Sequence, residues 1–141
     1  MRASHRLRLA LNLVNGSTLF GLAVARLGRA RLARCRGGLL TGTGYRLPVP
    51  PAPAFTLGNV IITRQPWMDA ESSLFRHEAR HATQYACCGG LIMLPCYFAA
   101  AGVSWLLSGD VGAWNPFERL AGLADGGYRD RPLRRPAARP R

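Results

Sequence analysis

The chain of 141 residues contains no lysine and only seven acidic residues. All 19 basic residues are therefore arginines, and the formal net charge is +12. A chain this basic suits a partner that carries phosphate, either nucleic acid or an anionic membrane surface. The arginines cluster near both ends and beside apolar runs instead of interleaving with aromatic residues. We therefore expect an anionic membrane surface as a partner and do not expect nucleic acid.

The four cysteines lack the spacing of a disulfide framework, because Cys87 and Cys88 are adjacent and Cys96 lies within the same apolar run. The C-x2-C spacing of an iron–sulfur site is absent as well. We therefore expect buried free thiols at these three positions and at Cys35. A hydrophobic content of 48% excludes global disorder, and the length excludes a multi-domain enzyme.

An apolar stretch lies between two arginine clusters near the N-terminus, with residues 9–25 as its core. A signal peptide is one interpretation, since residues 23–25 form an A-x-A cleavage site, and the chain would then be exported. As a helix, however, Arg8, Asn12 and Asn15 fall at i, i+4 and i+7 and form one narrow polar stripe. We favour an uncleaved apolar helix, either packed against the protein or inserted in a membrane.

Residues 37–66 are rich in proline and glycine, which exclude a long helix in this segment. Residues 45–49 and 55–63 are predicted to be extended segments joined by a turn at residues 50–53. The sequence therefore predicts a small β-hairpin, and the prolines confine its first strand to an edge. Residues 60–63 have the strongest β propensity, and they are a candidate edge for an extended peptide substrate.

Two helices and a long apolar run are predicted downstream. The first helix takes Asp69 as its N-cap and ends at the pair Gly89-Gly90. The 21 residues from Cys87 to Leu107 carry no charge and are long enough to cross a bilayer. The last helix begins at Asn115-Pro116 and ends at Gly126-Gly127.

Residues 77–81 form an H-E-x-x-H motif in the middle of a predicted helix. Two histidines at i and i+4 project from one helix face, so the imidazoles of His77 and His81 can reach one zinc ion. Glu78 would then be the general base, accepting a proton from the water that zinc activates. With so few histidines and glutamates in the chain, chance produces such a motif on the order of 0.001 times per sequence.

A catalytic zinc needs a third protein ligand. Glu118 is the downstream candidate, since His5 lies far upstream and Cys87 stands where the metzincin motif has its third histidine. Asn115 and Glu118 also fit a capping box, in which the carboxylate turns back to its own helix, and this alternative stays open. Asp125 would lie on the same helix face as Glu118 and could orient one histidine, or else end the helix.

The segments HEARHATQY and NPFERLAGLADGGY resemble the gluzincin branch of zinc metallopeptidases, especially short bacterial proteins with an H-E-x-x-H-x-x-Q-Y helix and a later N-x-F-E helix. The resemblance covers residues 69–128. It implies candidates for transition-state stabilisation at Tyr128 and Tyr85. The other residues that it assigns are the zinc ligands His77, His81 and Glu118 and the general base Glu78.

Metal geometry constrains the apolar run. A straight helix over residues 87–107 would place His81 and Glu118 on opposite sides of a membrane, whereas one zinc needs their ligating atoms within about 4 Å of each other. A turn at residues 89–90 would let the apolar helix return beside the H-E-x-x-H helix. The predicted fold is mainly α with a small β-hairpin, an α+β class, with a zincin-like active helix, an antiparallel apolar helix and a short third-ligand helix.

Together these patterns predict a basic-flanked N-terminal helix in residues 1–36, a metallopeptidase-like domain in residues 37–128, and a disordered arginine- and proline-rich tail in residues 129–141. The expected function is that of a membrane-associated zinc-dependent hydrolase, a peptidase acting on a peptide or protein substrate. A non-catalytic membrane adaptor with a structural metal site is the alternative. The positive charges beside the apolar segments place the expected active site on the cytoplasmic side.

Overall fold

A computed structural model describes residues 1–134, which contain five α-helices and one four-stranded mixed sheet. The α+β class predicted from the sequence is therefore found, with a larger sheet than expected. Part of the predicted disordered tail, residues 135–141, lies outside the described residues. The elements in chain order are α1 (Ala3–Val14), α2 (Ser17–Leu27), β1 (Arg31–Arg34), β2 (Leu40–Thr43), β3 (Ala54–Leu57), β4 (Val60–Thr63), α3 (Ser73–Cys87), α4 (Met93–Ser108) and α5 (Pro116–Ala121).

The N-terminal apolar segment forms two helices, where the sequence predicted one. Gly16 separates them with a φ of 78°, and α1 and α2 are bent by 73° at this break. In α1 the side chains of Arg8 and Asn12 are buried, whereas those of Leu7 and Val14 are 61% and 89% exposed. The polar stripe of α1 therefore faces the protein, and its apolar side faces outward.

The long apolar run is interrupted, as predicted, by a turn at Gly89 and Gly90, whose φ angles are 73° and 89°. The following helix, α4, contacts chiefly α5, whereas α3 packs against α1, α5, β3 and β4. Side chains of α4 also reach α3, because the rings of Tyr97 and His81 lie 6.2 Å apart and Met93 belongs to the same cluster as Tyr85. The antiparallel arrangement of α3 and α4 stays a prediction. Within residues 1–134 no single helix has both the length and the hydropathy to cross a bilayer, and α1 and α2 meet that test only as a bent pair.

The sheet has the strand order β1-β2-β4-β3, with β2 parallel to β4 and the outer pairs antiparallel. Residues 45–49, predicted as a strand, are irregular. The predicted strand over residues 55–63 is divided by a tight turn at Gly58 and Asn59 into β3 and β4. Gly58 has a φ of 61°, and a Cβ there would lie 2.4 Å from the backbone nitrogen of Thr18, so only glycine fits. The consequence is that β4 is an inner strand and β3 is an edge.

The core forms on both faces of β4, whose successive side chains point to opposite sides of the sheet. Ile61 packs in one cluster with Phe75 and Ala82 of α3. Ile62 packs in a second cluster that includes Tyr85 of the same helix. The Ile61 cluster holds α3, which carries the H-E-x-x-H motif, against one face of the sheet.

The four thiols are free, as predicted, but they are not buried. Cys87 and Cys96 are exposed, and Cys35 and Cys88 are partly buried. For Cys87, Cys88 and Cys96 the expectation of burial is wrong because α4 and the end of α3 face outward along much of their length.

Candidate metal centre

The helix that carries the motif begins after Ser72, one turn later than predicted. The hydroxyl oxygen of Ser72 accepts a hydrogen bond from the backbone N–H of Phe75 at 3.1 Å, which satisfies an otherwise free donor of the first turn. Asp69 instead accepts from the backbone of Glu71 in the preceding turn. The helix then runs unbroken through the motif, so His77 and His81 lie one turn apart on its buried side.

The helix α5 is capped as the sequence predicted. The side-chain oxygen of Asn115 accepts a hydrogen bond from the backbone N–H of Phe117 at 3.0 Å, and Pro116 occupies the first helical position. The helix ends at Ala121, earlier than expected. The capping-box alternative for Glu118 is not found, because its Oε1 accepts a hydrogen bond from Tyr97 of α4.

The structure brings His77, His81 and Glu118 together at one buried point. The Nε2 atom of His77 lies 3.0 Å from Nε2 of His81 and 3.0 Å from Oε2 of Glu118, and the same oxygen lies 3.5 Å from Nε2 of His81. Two ligand atoms at about 2.0 to 2.1 Å from a tetrahedral zinc ion lie about 3.3 Å apart. The observed spacing therefore suits three ligands of a single zinc.

Hydrogen bonds on the far side of each imidazole fix which nitrogen faces the centre. Nδ1 of His77 lies 3.0 Å from the carbonyl oxygen of Gly122, which can only accept, so Nδ1 carries the proton. Nδ1 of His81 lies 2.8 Å from Oε1 of Gln84. The amide orientation of Gln84 is set in turn, because its Nε2 donates to the carbonyl oxygen of Phe117 at 2.9 Å. In the neutral form of each imidazole the proton therefore lies on Nδ1, and Nε2 presents its lone pair to the centre, as in metal ligands.

Lone pairs on Nε2 of His77, Nε2 of His81 and Oε2 of Glu118 thus converge, and no hydrogen-bond donor lies between them. Oε2 of Glu118 is buried and has no hydrogen-bond partner among the described residues. Burial alone would raise the pKa of Glu118, whereas the hydrogen bond that Tyr97 donates to Oε1 lowers it and favours the ionised carboxylate. A buried anionic oxygen is costly unless a cation compensates it. A zinc ion bound to the two imidazoles would supply that cation, so the residues present fit the metal.

Glu78 lies beside the ligand set and is 4% exposed. Its Oε2 accepts a hydrogen bond from the hydroxyl of Thr56 at 2.7 Å, which connects it to the edge strand β3. Burial raises the pKa of Glu78, although the histidines and the Thr56 hydroxyl oppose this effect. A carboxylate with a raised pKa is a better proton acceptor near neutral pH than an ordinary glutamate.

Besides Tyr45, three tyrosines line the apolar cavity over the centre, and two of them were predicted from the sequence. Tyr128 has its ring centroid 6.3 Å from that of His77. Tyr85 is 2% exposed and belongs to the apolar core. Tyr97, which no motif indicated, is the one that contacts Glu118. Burial raises the pKa of each phenol, so all three remain protonated donors at neutral pH.

Asp125 does not orient a histidine, contrary to one expectation. Its carboxylate accepts a hydrogen bond from Arg80 at 2.7 Å and lies 3.6 Å from a guanidinium nitrogen of Arg76. The helix α5 ends before Asp125, so the helix face that was predicted to carry it inward does not extend that far. The orienting role belongs to Gly122 and Gln84.

A cavity of about 370 Å³ contains the candidate ligands and Glu78 and is otherwise largely apolar. The edge strand β3 forms one wall. Phe20 of α2 and Phe98 of α4 contribute to other walls, and their side chains are 41% and 65% exposed. A cavity of this size and lining suits an apolar group of a ligand placed next to the metal ligands.

Comparisons with protein-family models, with curated proteins and with solved structures find no match to this chain. The functional assignment therefore depends on the geometry of the site itself.

Proposed function

We propose that the protein is a zinc-dependent hydrolase of the gluzincin type, a peptidase that works at a membrane surface. The observation that carries the proposal is the convergence of two unprotonated imidazole nitrogens and one unpartnered carboxylate oxygen, from His77, His81 and Glu118, beside a buried Glu78. Structural zinc sites are closed by four protein ligands, whereas these three ligands leave one position open for water. The open position, together with the buried Glu78 beside it, favours catalysis over a structural role.

The chemistry divides between the metal and the chain. When bound by His77, His81 and Glu118, zinc supplies Lewis acidity, which lowers the pKa of a water towards about 7 and polarises a substrate carbonyl. Glu78 accepts the proton of the attacking water and returns it to the leaving amine. The Thr56 hydroxyl holds the Glu78 carboxylate in one orientation during both transfers.

Stabilisation of the transition state falls to Tyr128 in this proposal. Its ring lies close to His77 and its phenol is held protonated by burial, so it can donate a hydrogen bond to a developing oxyanion. Tyr85 is the weaker candidate, because it packs in the apolar core. The hydroxyl of Tyr97 is already used by Glu118.

The substrate in this proposal is an extended peptide with an apolar side chain. The edge expected at residues 60–63 is not open, because β4 pairs on both sides. The open edge belongs instead to β3, which pairs only with β4 and lines the cavity. An extended peptide paired with β3 would pass over the candidate ligands and place a side chain among the apolar walls.

The membrane part of the proposal is supported by apolar side chains that point away from the protein. On α4, Phe98, Trp105 and Leu106 are 65%, 51% and 66% exposed. On α1, Leu7 and Val14 are exposed while the polar stripe is buried. Apolar surface of this extent is unusual on a protein surrounded only by water, and it suits an interfacial location.

The test is the cleavage of a mixed peptide library, rich in apolar residues, by the purified zinc-loaded protein, read by mass spectrometry. We expect cleavage by the wild type and a loss of about 10² to 10⁴ in rate for Glu78→Gln, which keeps the shape of the side chain but cannot accept a proton. Glu71→Gln is the matched control, since Glu71 is exposed and pairs with Arg36.

Zinc content is measured on every variant in that experiment. A Glu78→Gln protein that holds zinc and cleaves as fast as the wild type would remove Glu78 from the mechanism. A wild type that holds zinc and cleaves nothing would favour the adaptor with a structural metal site.

A further inference from the structure

A second cavity, of about 560 Å³, lies where α1 and the turn after β1 meet α3, and it shares no lining residue with the cavity over the metal centre. We propose that this arginine cavity is a binding site for a phosphate-bearing group. Its basic lining residues are Arg2, His5, Arg8, Arg36, Arg76 and Arg80.

The lining carries an excess of positive charge. No aspartate or glutamate lines the cavity within the described residues. Two carboxylates that do not line the cavity pair with its arginines. Glu71 pairs with Arg36, and Asp125 lies within 4.0 Å of both Arg76 and Arg80. Five guanidiniums against two carboxylates leave an excess of three charges, with His5 counted as neutral. A multiply charged anion would balance that excess.

The proposal depends mainly on Arg8, because this buried cation has no carboxylate partner among the described residues. Its side chain is 8% exposed, and its Nε has no hydrogen-bond partner among the described residues. One Nη donates to the carbonyl oxygen of Gly37 at 2.6 Å, which satisfies only part of the guanidinium fork. A buried charge of this kind is costly unless an anion pairs with it. The unused donor therefore points to a ligand.

The backbone at Gly37 keeps the cavity open on this side. Gly37 has a φ of 68°, and a Cβ there would lie 3.1 Å from Nδ1 of His5 and 3.6 Å from an Nη of Arg8. A side chain at this position would be strained and would approach both polar groups. Glycine leaves these donors accessible.

Phosphate is the anion that this set of donors recognises best. Guanidiniums are planar forks that bind phosphate oxygens in pairs, and arginine is preferred wherever such recognition is needed. A phosphate monoester also carries more charge than a carboxylate, which suits the excess of three. The volume leaves room for the organic part of a phosphate monoester or of a phospholipid headgroup.

The first experiment is a calorimetric titration of the full chain with glycerol 3-phosphate at fixed ionic strength. We expect saturable binding by the wild type. Arg8→Gln removes the buried guanidinium, so its affinity for glycerol 3-phosphate should be lower by about tenfold or more. Arg46→Gln is the matched control for a lost charge, because Arg46 is exposed and lies outside both cavities.

A second pair of variants keeps the test decisive if Arg8→Gln does not fold. Arg2 and Arg36 line the cavity but are exposed, so their joint replacement by glutamine should leave the core intact. The control pair is Arg46→Gln with Arg129→Gln, which removes the same charge from exposed positions elsewhere. Equal affinity of the cavity pair and the control pair for glycerol 3-phosphate overturns the proposal.

The two sources of the phosphate group are separated with vesicles. Phosphatidic acid vesicles, whose headgroup is a phosphate monoester, are compared with phosphatidylcholine vesicles, and glycerol 3-phosphate is added as a competitor. Displacement of the protein by the competitor identifies a lipid headgroup as the ligand, whereas binding of the competitor without displacement identifies a soluble phosphate compound. Both results support the site, and the absence of saturable binding to either probe overturns it, whatever the metal centre does.

Discussion

The hydroxyl of Tyr97 on α4 donates a hydrogen bond to Oε1 of Glu118 on α5. The other carboxylate oxygen, Oε2, is thereby turned towards His77 and His81. Outer contacts of this kind orient a ligand before the metal binds and commonly change metal affinity when they are removed. The apolar helix α4 thus supports the candidate metal centre as well as carrying exposed apolar surface.

Tyr97→Phe is expected to weaken zinc binding by about 10- to 100-fold, because the ring keeps its packing while the hydrogen bond to Glu118 is lost. Competition with a chromogenic chelator measures the dissociation constant. Tyr45→Phe is the matched control, since Tyr45 lines the same cavity but its hydroxyl donates to the carbonyl oxygen of Val49 and not to Glu118. Equal dissociation constants for the two variants would contradict the role assigned to Tyr97.

The purified protein is expected to bind about one zinc ion per chain, because the described residues contain one group of three ligands. His81→Ala should lose the ion, and the double variant at His77 and His81 should bind none. His5→Ala is the control, since His5 lies on α1 in the arginine cavity. Elemental analysis after dialysis gives the stoichiometry. If the double variant keeps a full equivalent of zinc, the ligand set is wrong.

The parts of the fold that sequence could predict are those set by local periodicity and capping. The motif helix, the turn at Gly89-Gly90 and the Asn115-Pro116 helix start are all found. The strands were poorly predicted, because β1 lies in an arginine-rich stretch whose four residues are all exposed, so no alternation of hydropathy marks it. The parallel pairing of β2 with β4 depends on distant contacts that no local pattern encodes.

In the candidate site, too, local sequence patterns predict some residues, whereas others depend on contacts between distant parts of the chain. The convergence of His77, His81 and Glu118 follows from spacing and from the need for a third ligand. Gln84 was within reach of sequence reasoning, since it lies three residues after His81 on the same helix face. Thr56 and Tyr97 were not, because they contact the site from β3 and α4 across long sequence separations and belong to no motif.

Thr56→Val is expected to slow hydrolysis without changing zinc affinity, since it removes the hydroxyl that positions Glu78 but leaves the ligands untouched. The Thr56 hydrogen bond lowers the pKa of Glu78, so its loss should raise that pKa further. The acidic limb of the pH profile of kcat/KM should then move to higher pH, because Glu78 must be ionised to accept a proton.

Thr41→Val is the control for Thr56→Val, because Thr41 is a similarly buried strand residue that makes no side-chain hydrogen bond within the described residues. Its pH profile should match that of the wild type. A purely structural role for Thr56 would lower stability and rate but would leave the position of the acidic limb unchanged.

Replacement of Phe98 and Leu106 on α4 by serine is expected to weaken binding to phosphatidylglycerol vesicles. Each exposed side chain would contribute roughly 1 to 2 kcal/mol on entering the interface, so the double variant should partition about thirtyfold less strongly or worse. Trp67→Ser is the control, since Trp67 is 71% exposed on the loop before α3. Vesicle co-sedimentation measures the partition. If the control loses as much binding as the α4 variant, exposed apolar surface acts without regard to position, and α4 is not the membrane-facing element.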